Sequence, residues 1–108
     1  MILTRDFKET VKERTERDPA FAKAMLDEAA MAFLNGEPHV ARLILRDLVN
    51  ASVGFEALAA ETNRPSKSLH RMLSEKGNPS MDNLGAIFGA VRRRLGVTIE
   101  AHAVVMEH

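Results

Sequence analysis

The chain has no cysteine, no tryptophan and no tyrosine, and its only aromatic residues are five phenylalanines. Without cysteine it can form neither a disulfide framework nor a reactive thiolate, which is typical of a reducing cytoplasm. Without large aromatics its interior must be aliphatic, and six methionines with many alanines favour packed helices over a β-sandwich. Since 108 residues suit one compact domain with a modest core, we predict a single all-α domain.

Long apolar runs and secretion signals are also missing from the sequence. No stretch approaches the length that spans a membrane, and the N-terminal residues MILTRDFKET lack the basic-then-apolar order of a signal peptide. We therefore expect a soluble cytoplasmic protein that has no membrane partner.

Net charge is absent as well, because fifteen basic residues balance fifteen acidic ones. A neutral chain at first argues against nucleic acid as a partner. The charges are segregated, however: residues 63–94 hold seven basic and two acidic residues, whereas residues 1–62 hold eight basic and eleven acidic ones. Local potential, and not the total charge, decides phosphate binding, so the basic half remains a candidate DNA-binding surface.

A helix, a tight turn and a second helix are predicted in residues 54–79, GFEALAAETNRPSKSLHRMLSEKGNP. Asn63 stands where a left-handed residue would end the first helix, and Pro65 suits the first position of the second. Gly77 stands where the second helix would terminate, and Pro79 prevents its continuation. Two short helices around such a turn form a helix-turn-helix, whose second helix can lie in the major groove of DNA.

This stretch also carries a family resemblance. The matching residues are Leu58, Ala59, Glu61, Thr62, Leu69, Leu73, Ser74, Glu75, Gly77, Asn78, Pro79 and Leu84. They resemble the lambda-repressor-like (Xre-like) DNA-binding domains, and most of all the antidote proteins of addiction modules, the HigA-like antitoxins. The resemblance covers roughly residues 18–97, with the Gly-Asn-Pro turn as its most specific part. It departs from the family at Asn63, which replaces a turn glycine, and at Pro65, which replaces a Ser or Thr cap.

The resemblance implies a lambda-repressor-like domain of five helices over residues 18–96, and the remaining sequence supports such a helical core. One helix starts at Pro19 and stops at Asn35, a second covers residues 38–50, and a third covers residues 81–95 with Ser80 as its cap. In residues 38–50 we expect Val40, Leu43, Ile44 and Leu48 to form the buried stripe, with Leu45 and Val49 left to pack under the N-terminal helix or at a protein interface. The residues expected to be buried together around the helix-turn-helix are Leu58, Ala59, Leu69, Leu73, Leu84, Ile87 and Phe88.

The two ends of the chain differ from this core. Residues 1–17 are charge-dense and predict a short N-terminal helix or arm. Residues 97–105, VTIEAHAVV, alternate apolar and polar positions as a half-buried β-strand does, yet the sequence offers no second strand. Residues 97–108 are therefore predicted as a strand or tail that pairs with a second copy and forms a homodimer. The alternative is a dimer packed through Leu95 and neighbouring helix residues.

The outward face of the second helix carries the candidate DNA contacts, since Leu69 and Leu73 face inward. The candidate base contacts are Ser66, Lys67, His70 and Arg71. Arg71 and Lys67 are the two most suited to reach a guanine edge, and a structural role for His70 remains an alternative. The candidate phosphate contacts around the closing turn are Lys76, Asn78 and Ser80, which the first N–H groups of the next helix would assist.

Enzymatic chemistry has little support in the sequence. The histidines are dispersed along the chain, at His39, His70, His102 and His108. None has a ligand partner at metal-binding spacing, and no Gly-rich phosphate loop is present. Ser66 and Ser68 lack the strand-to-helix context of a nucleophile elbow. We therefore predict no catalytic residue, no metal, no cofactor and no small-molecule substrate.

Together these features predict a sequence-specific transcriptional regulator that binds double-stranded DNA. The resemblance implies more narrowly the antitoxin and autorepressor of a toxin–antitoxin module, with a small basic toxin as partner. The acidic residues that could receive such a toxin are Asp6, Glu9, Glu13, Glu16, Asp27 and Glu28. Two alternatives remain: a phage-type or chromosomal helix-turn-helix regulator without a toxin, and a helical protein-interaction domain that has lost DNA binding.

Overall fold

The computed structural model describes residues 19–107, and this part of the chain contains five α-helices and no β-strand. The helices are α1 (Pro19–Leu34), α2 (Pro38–Leu48), α3 (Phe55–Thr62), α4 (Ser66–Met72) and α5 (Met81–Leu95). The predicted all-α class with five helices is therefore confirmed. The predicted N-terminal helix or arm at residues 1–17 lies outside the described residues. Among the helices of residues 19–107, none has both the length and the apolar character needed to cross a bilayer.

Most helix ends lie at the residues that predict them. Asn63 ends α3 in the left-handed conformation, with φ 55° and ψ 44°. Ser80 caps α5, and its Oγ accepts a hydrogen bond from the backbone N–H of Asn83 at 3.1 Å. Gly96 ends α5 with a φ of +70°, which a residue with a side chain rarely adopts. Local cap chemistry is thus sufficient to determine these three boundaries.

The start of α4 differs by one residue from the prediction. Pro65 has φ −62° and ψ 138°, so it lies in extended conformation just before the helix instead of at its first position. Its carbonyl accepts the backbone N–H of Leu69 at 3.1 Å, which is the bond that an N-cap residue makes. Pro65 therefore occupies the capping position without a side-chain cap, and α4 begins at Ser66.

Gly77 has a different role from the predicted one. Helix α4 ends at Met72, and Leu73 is its C-cap, so Gly77 lies four residues beyond the cap in the closing turn. It is buried, and a Cβ at this position would lie 2.7 Å from the carbonyl oxygen of Arg71 and closer still to that of Met72. Gly77 is required because the turn passes directly against the last carbonyl groups of α4.

Helical structure continues beyond residue 50, where the predicted second helix ends. Residues Val49–Val53 form a π-helical turn that extends α2. Ser52 Oγ donates to the carbonyl of Leu48 at 2.6 Å, and Gly54 N–H donates to the carbonyl of Val49 at 2.6 Å. The wider turn carries the chain to Gly54, which is the N-cap residue of α3.

The buried face of α2 is rotated relative to the prediction. Ala41, Leu45, Leu48 and Val49 are all fully buried, so Leu45 and Val49 belong to the core and not to another interface. Leu43 is 36% exposed, while Val40 and Ile44 are half-buried. Apolar residues surround much of this helix, so two overlapping apolar stripes both fit the helical period. Packing against the other helices buries the stripe that continues into the π-helical turn.

One apolar cluster holds the helices together and includes the predicted core. Leu58 of α3, Leu69 of α4 and Ile87 of α5 have no exposed surface. Leu73 is also fully buried and Leu84 nearly so, whereas Ala59 and Phe88 are half-buried against the cluster. Each of the last three helices thus has one face fixed in the core. The opposite face of each of these three helices is available to solvent.

The C-terminal segment, predicted as a strand that pairs with a second copy or as a tail, forms no strand in the single chain. Residues 97–107 have no regular secondary structure, and Val97 and Ile99 pack against the helical cluster. No ladder of backbone hydrogen bonds joins the segment to another part of residues 19–107. A strand needs such a ladder, and no strand occurs elsewhere in residues 19–107 to form it. The segment is therefore a tail in the single chain.

Candidate nucleic-acid interface

The exposed face of α4 brings together the four predicted base contacts. Leu69 and Leu73 anchor the opposite face and have no exposed surface. Lys67, His70 and Arg71 are exposed and Ser66 is half-exposed. Because residues three and four positions apart are neighbours on a helix, these side chains form one patch, which we call the α4 face.

The basic side chains of this region are not neutralised within the described residues. No ion pair or side-chain hydrogen bond of Lys67, Arg71 or Lys76 occurs in residues 19–107. In contrast, other basic side chains are paired: Lys23 lies 3.4 Å from Asp27 on α1. Positive charge at the α4 face and at the closing turn therefore remains available to an anionic partner.

His70 is held in place by an aromatic contact that the sequence analysis did not identify. Its ring stacks on Phe55 with a centroid separation of 3.8 Å and an interplanar angle of 18°. Phe55 is the first residue of α3 and is only 6% exposed, so it provides a fixed support for the exposed imidazole. His70 consequently has a structural contact through its ring face and an open ring edge.

The three predicted phosphate contacts are all exposed around the closing turn. Lys76 and Asn78 project from the turn itself, and Ser80 follows them as the cap of α5. The Ser80 oxygen accepts the Asn83 N–H, which leaves its hydroxyl hydrogen able to donate. Within the described part of the chain, the backbone N–H groups of Met81 and Asp82 have no acceptor. The start of α5 therefore offers donors beside Lys76.

Arg64 connects the α3–α4 turn to the start of α5. Its Nε donates to Asn83 Oδ1 at 2.6 Å, and its Nη1 donates to the carbonyl oxygen of Thr62 at 2.8 Å. Asn83 in turn donates its backbone N–H to Ser80. Arg64 is thus a brace between the two groups of candidate contacts and not a free surface charge. Charge composition alone groups Arg64 with the candidate DNA-binding residues. The local sequence does not reveal its hydrogen-bond partner, which lies nineteen residues further along the chain.

A second arginine approaches the closing turn from α2. Arg42 Nη2 donates to the carbonyl oxygen of Glu75 at a long 3.4 Å. The Nε atoms of Arg42 and Arg46 are buried and have no hydrogen-bond partner among the described residues. Arg42 therefore adds positive charge beside Lys76. Sequence analysis missed it because the contact joins residues 33 positions apart.

The grooves that the structure shows beside α1 do not include residues of α4. No three His, Cys, Asp or Glu side chains gather into a metal-binding group anywhere in residues 19–107. A groove of about 550 Å³ is lined by residues of α1, by Asn35 and by residues 99–103, and no residue of α4 contributes to it. The α4 face is an exposed, positively charged helix surface, which suits a large anionic partner.

Comparison of this chain with protein-family models, with curated proteins and with solved structures gives no match.

Proposed function

We propose that this protein is a sequence-specific DNA-binding transcriptional regulator in which α3 and α4 form a helix-turn-helix. One observation carries the proposal. Lys67, His70 and Arg71 share the exposed face of a short helix whose other face is buried in the core. Lys67 and Arg71 form no ion pair within the described chain. The resemblance of residues 58–84 to the lambda-repressor-like domains supports the same reading.

The dimensions of α4 suit the major groove. An α-helix with its side chains is roughly 10–12 Å across and the groove is about 12 Å wide, so this helix of seven residues can lie within it. In this proposal Arg71 and Lys67 donate hydrogen bonds to the O6 and N7 atoms of guanine. His70, supported by Phe55, presents its ring edge to a neighbouring base, and the Ser66 hydroxyl reaches a base or a phosphate.

Phosphate contacts from the closing turn would set the register of α4. Lys76 supplies charge, and Asn78, Ser80 and the free N–H groups of α5 supply hydrogen-bond donors. The Arg64 brace keeps these donors at a constant position relative to α4, since it bonds to both the α3–α4 turn and Asn83. A rigid arrangement of this kind allows base contacts and phosphate contacts to form together.

A titration of labelled duplex DNA by fluorescence anisotropy tests the proposal. The double variant Lys67→Ala/Arg71→Ala should bind at least about tenfold more weakly, because each base contact contributes about 1–3 kcal/mol. The matched control is Lys23→Ala/Arg94→Ala, which removes the same charge from two exposed positions outside the α4 face and should change affinity only slightly. Absence of binding at low salt, or equal losses in the two variants, would contradict DNA recognition by α4.

We further propose that the protein is the antitoxin and autorepressor of a toxin–antitoxin module, with a small basic toxin as its partner. The support is the resemblance to addiction-module antidotes together with the acidic residues of the N-terminal half. Glu28 is exposed on α1, and Asp27 is held by Lys23. The other acidic candidates, at residues 6, 9, 13 and 16, lie outside the described residues.

Co-expression with the neighbouring small gene tests the antitoxin role. The full chain should rescue growth when that gene product is toxic, and a chain lacking residues 1–17 should lose rescue while it still binds the operator. Rescue by the shortened chain would place toxin contacts elsewhere. A neighbouring gene product without toxicity would favour a regulator that has no toxin.

A further inference from the structure

Two arginine side chains of α2 carry buried hydrogen-bond donors that the protein leaves without an acceptor. Arg42 and Arg46 are half-buried, and the Nε atom of each is buried with no partner among the described residues. Arg42 makes only the long bond to the Glu75 carbonyl, and the Arg46 side chain makes no hydrogen bond or ion pair within residues 19–107. Such donors are rare in folded proteins, because each one opposes folding. The two guanidinium groups, which are always charged, therefore suit an anion from outside the chain.

The position of the two arginines relates them to both parts of the candidate DNA interface. Residues four positions apart are neighbours on a helix, so Arg42 and Arg46 share one side of α2. Arg42 contacts the closing turn one residue before the exposed Lys76. Beyond Arg46, the π-helical turn leads to the start of α3 at Phe55, whose ring stacks on His70 of the α4 face. The pair thus lies on the part of α2 between the closing turn and the support of the α4 face.

We propose that Arg42 and Arg46 bind backbone phosphates of the DNA beside the groove that α4 enters. The inference rests on the proposed function, since it concerns the same complex, and it extends the interface from the helix-turn-helix to α2. Guanidinium groups bind phosphate oxygens through paired, charge-assisted hydrogen bonds. The two residues are about 6 Å apart along the helix axis, and the phosphates of one DNA strand recur about every 3.4 Å along the duplex. The pair can therefore hold two phosphates.

The burial of these side chains favours a phosphate over a base edge as their ligand. Leu45 and Leu48 have no exposed surface and fix α2 in the core, so α2 would remain beside the groove that α4 enters. Buried stems also restrict the conformers of each arginine, which lowers the entropy lost when a phosphate binds. Contacts of this kind carry no sequence information, but they fix the orientation of α4 on the duplex.

Arg46→Met separates a phosphate contact from a structural role. Methionine keeps an unbranched apolar stem and removes the unsatisfied donor, so the free energy of unfolding from urea titrations should not fall. Anisotropy titrations of duplex DNA between about 50 and 200 mM salt should show binding weakened about tenfold or more for all sequences. The slope of log affinity against log salt should decrease by about 0.9. Arg94→Met is the matched control, because it removes the same charge from an exposed position on α5 and should leave the slope nearly unchanged.

The unaltered protein and Lys67→Ala/Arg71→Ala belong in the same titrations, so that the two proposals can fail separately. An unchanged slope in Arg46→Met, together with weakened binding in Lys67→Ala/Arg71→Ala, would overturn the phosphate contact and leave recognition by α4 intact. An unchanged slope with a lower free energy of unfolding in Arg46→Met would overturn it in favour of a structural role. Failure of the unaltered protein to bind DNA at low salt would overturn both proposals.

Arg42 is tested from the DNA side, because its bond to the Glu75 carbonyl also ties it to the fold. Methylphosphonate groups remove the charge of single phosphates, one at a time, in a duplex that carries the motif enriched from a random library. The unaltered protein should lose affinity at one or more phosphates to which Arg42→Gln is insensitive, and these should differ from the phosphates to which Lys76→Ala is insensitive. Circular dichroism should report equal helix content in the three proteins. An identical phosphate scan for the unaltered protein and Arg42→Gln would overturn the contact by Arg42.

Discussion

Individual arginine side chains differ in whether they bond to another side chain of the protein. This difference separates structural roles from the proposed recognition role. Arg64 bonds to Asn83, and Arg93 Nε lies 3.1 Å from Glu61 Oε1. Arg71 has no side-chain partner within the described residues, although its backbone carbonyl accepts two bonds from Ser74. A side chain without an internal partner can meet DNA without first breaking a native contact.

Arg71 and Lys76 should give different losses when each is replaced by alanine. Arg71→Ala should cost about 1–3 kcal/mol at one base pair and relax the preference there, because Arg71 is proposed to contact a base edge. Lys76→Ala should weaken binding to all sequences about equally and reduce the salt slope by about one, because Lys76 is proposed to contact a phosphate. Anisotropy titrations over a set of single-base operator variants measure both effects. Uniform loss in both proteins would contradict base reading by Arg71.

Replacing Gly77 or Gly85 by alanine should change the free energy of unfolding in opposite directions. Gly77→Ala should destabilise the fold by about 1–3 kcal/mol or more, because the new Cβ would meet the backbone carbonyls of Arg71 and Met72. Gly85→Ala places the same methyl group in open space inside α5 and should stabilise the protein by about 0.5–1 kcal/mol. Urea denaturation measures both. A neutral Gly77→Ala would show that the closing turn can move away from α4.

At the scale of helices and turns, much of the fold is predictable from cap residues. Asn63, Ser80 and Gly96 mark helix ends because each acts through its own backbone or through a neighbour three residues away. The buried face of α2 was not predictable in this way. Both apolar stripes of that helix fit the period, and contacts with other helices decide between them.

The candidate site shows the same division between local and distant causes. The α4 face followed from the spacing of Leu69 and Leu73, which the helix period projects inward. The Phe55–His70 stack, the Arg64 brace and the Arg42 contact with the closing turn all join residues 15 or more positions apart. A periodic pattern carries no information about such contacts, because they arise only when separate helices pack.

The Arg64 brace should contribute measurable coupling between the α3–α4 turn and α5. A double-mutant cycle with Arg64→Ala and Asn83→Ala should give a coupling free energy of about 0.5–2 kcal/mol, because the bond is short, charge-assisted and part-buried. The control cycle on Arg93 and Glu61 should give less, because Arg93 is 53% exposed and water screens the pair. Unfolding free energies from urea titrations supply both cycles. A coupling at Arg64–Asn83 no larger than the control would contradict a bracing role.

At the scale of the whole molecule, a chain of zero net charge is proposed to bind a polyanion. Zero net charge is compatible with such binding because the charges are unevenly paired. Lys67, Arg71 and Lys76 are exposed and unpaired within residues 19–107, whereas the acidic side chains of Glu61 and Asp27 form ion pairs. A local positive surface of this size acts over about one Debye length, roughly 8–10 Å in cellular salt. Binding should therefore depend on close docking of α4.

Selection of binding sites from a random-sequence DNA library tests sequence-specific recognition by α4 most directly. The unaltered protein should enrich a defined motif. If the protein also binds as the homodimer that the sequence predicts, the motif should be an inverted repeat with half-site centres about 34–36 Å apart, one turn of DNA. The same selection with Lys67→Ala/Arg71→Ala should lose that motif, whereas Lys23→Ala/Arg94→Ala should retain it. A library that stays unenriched with the unaltered protein, or a motif that persists without Lys67 and Arg71, would contradict recognition by α4.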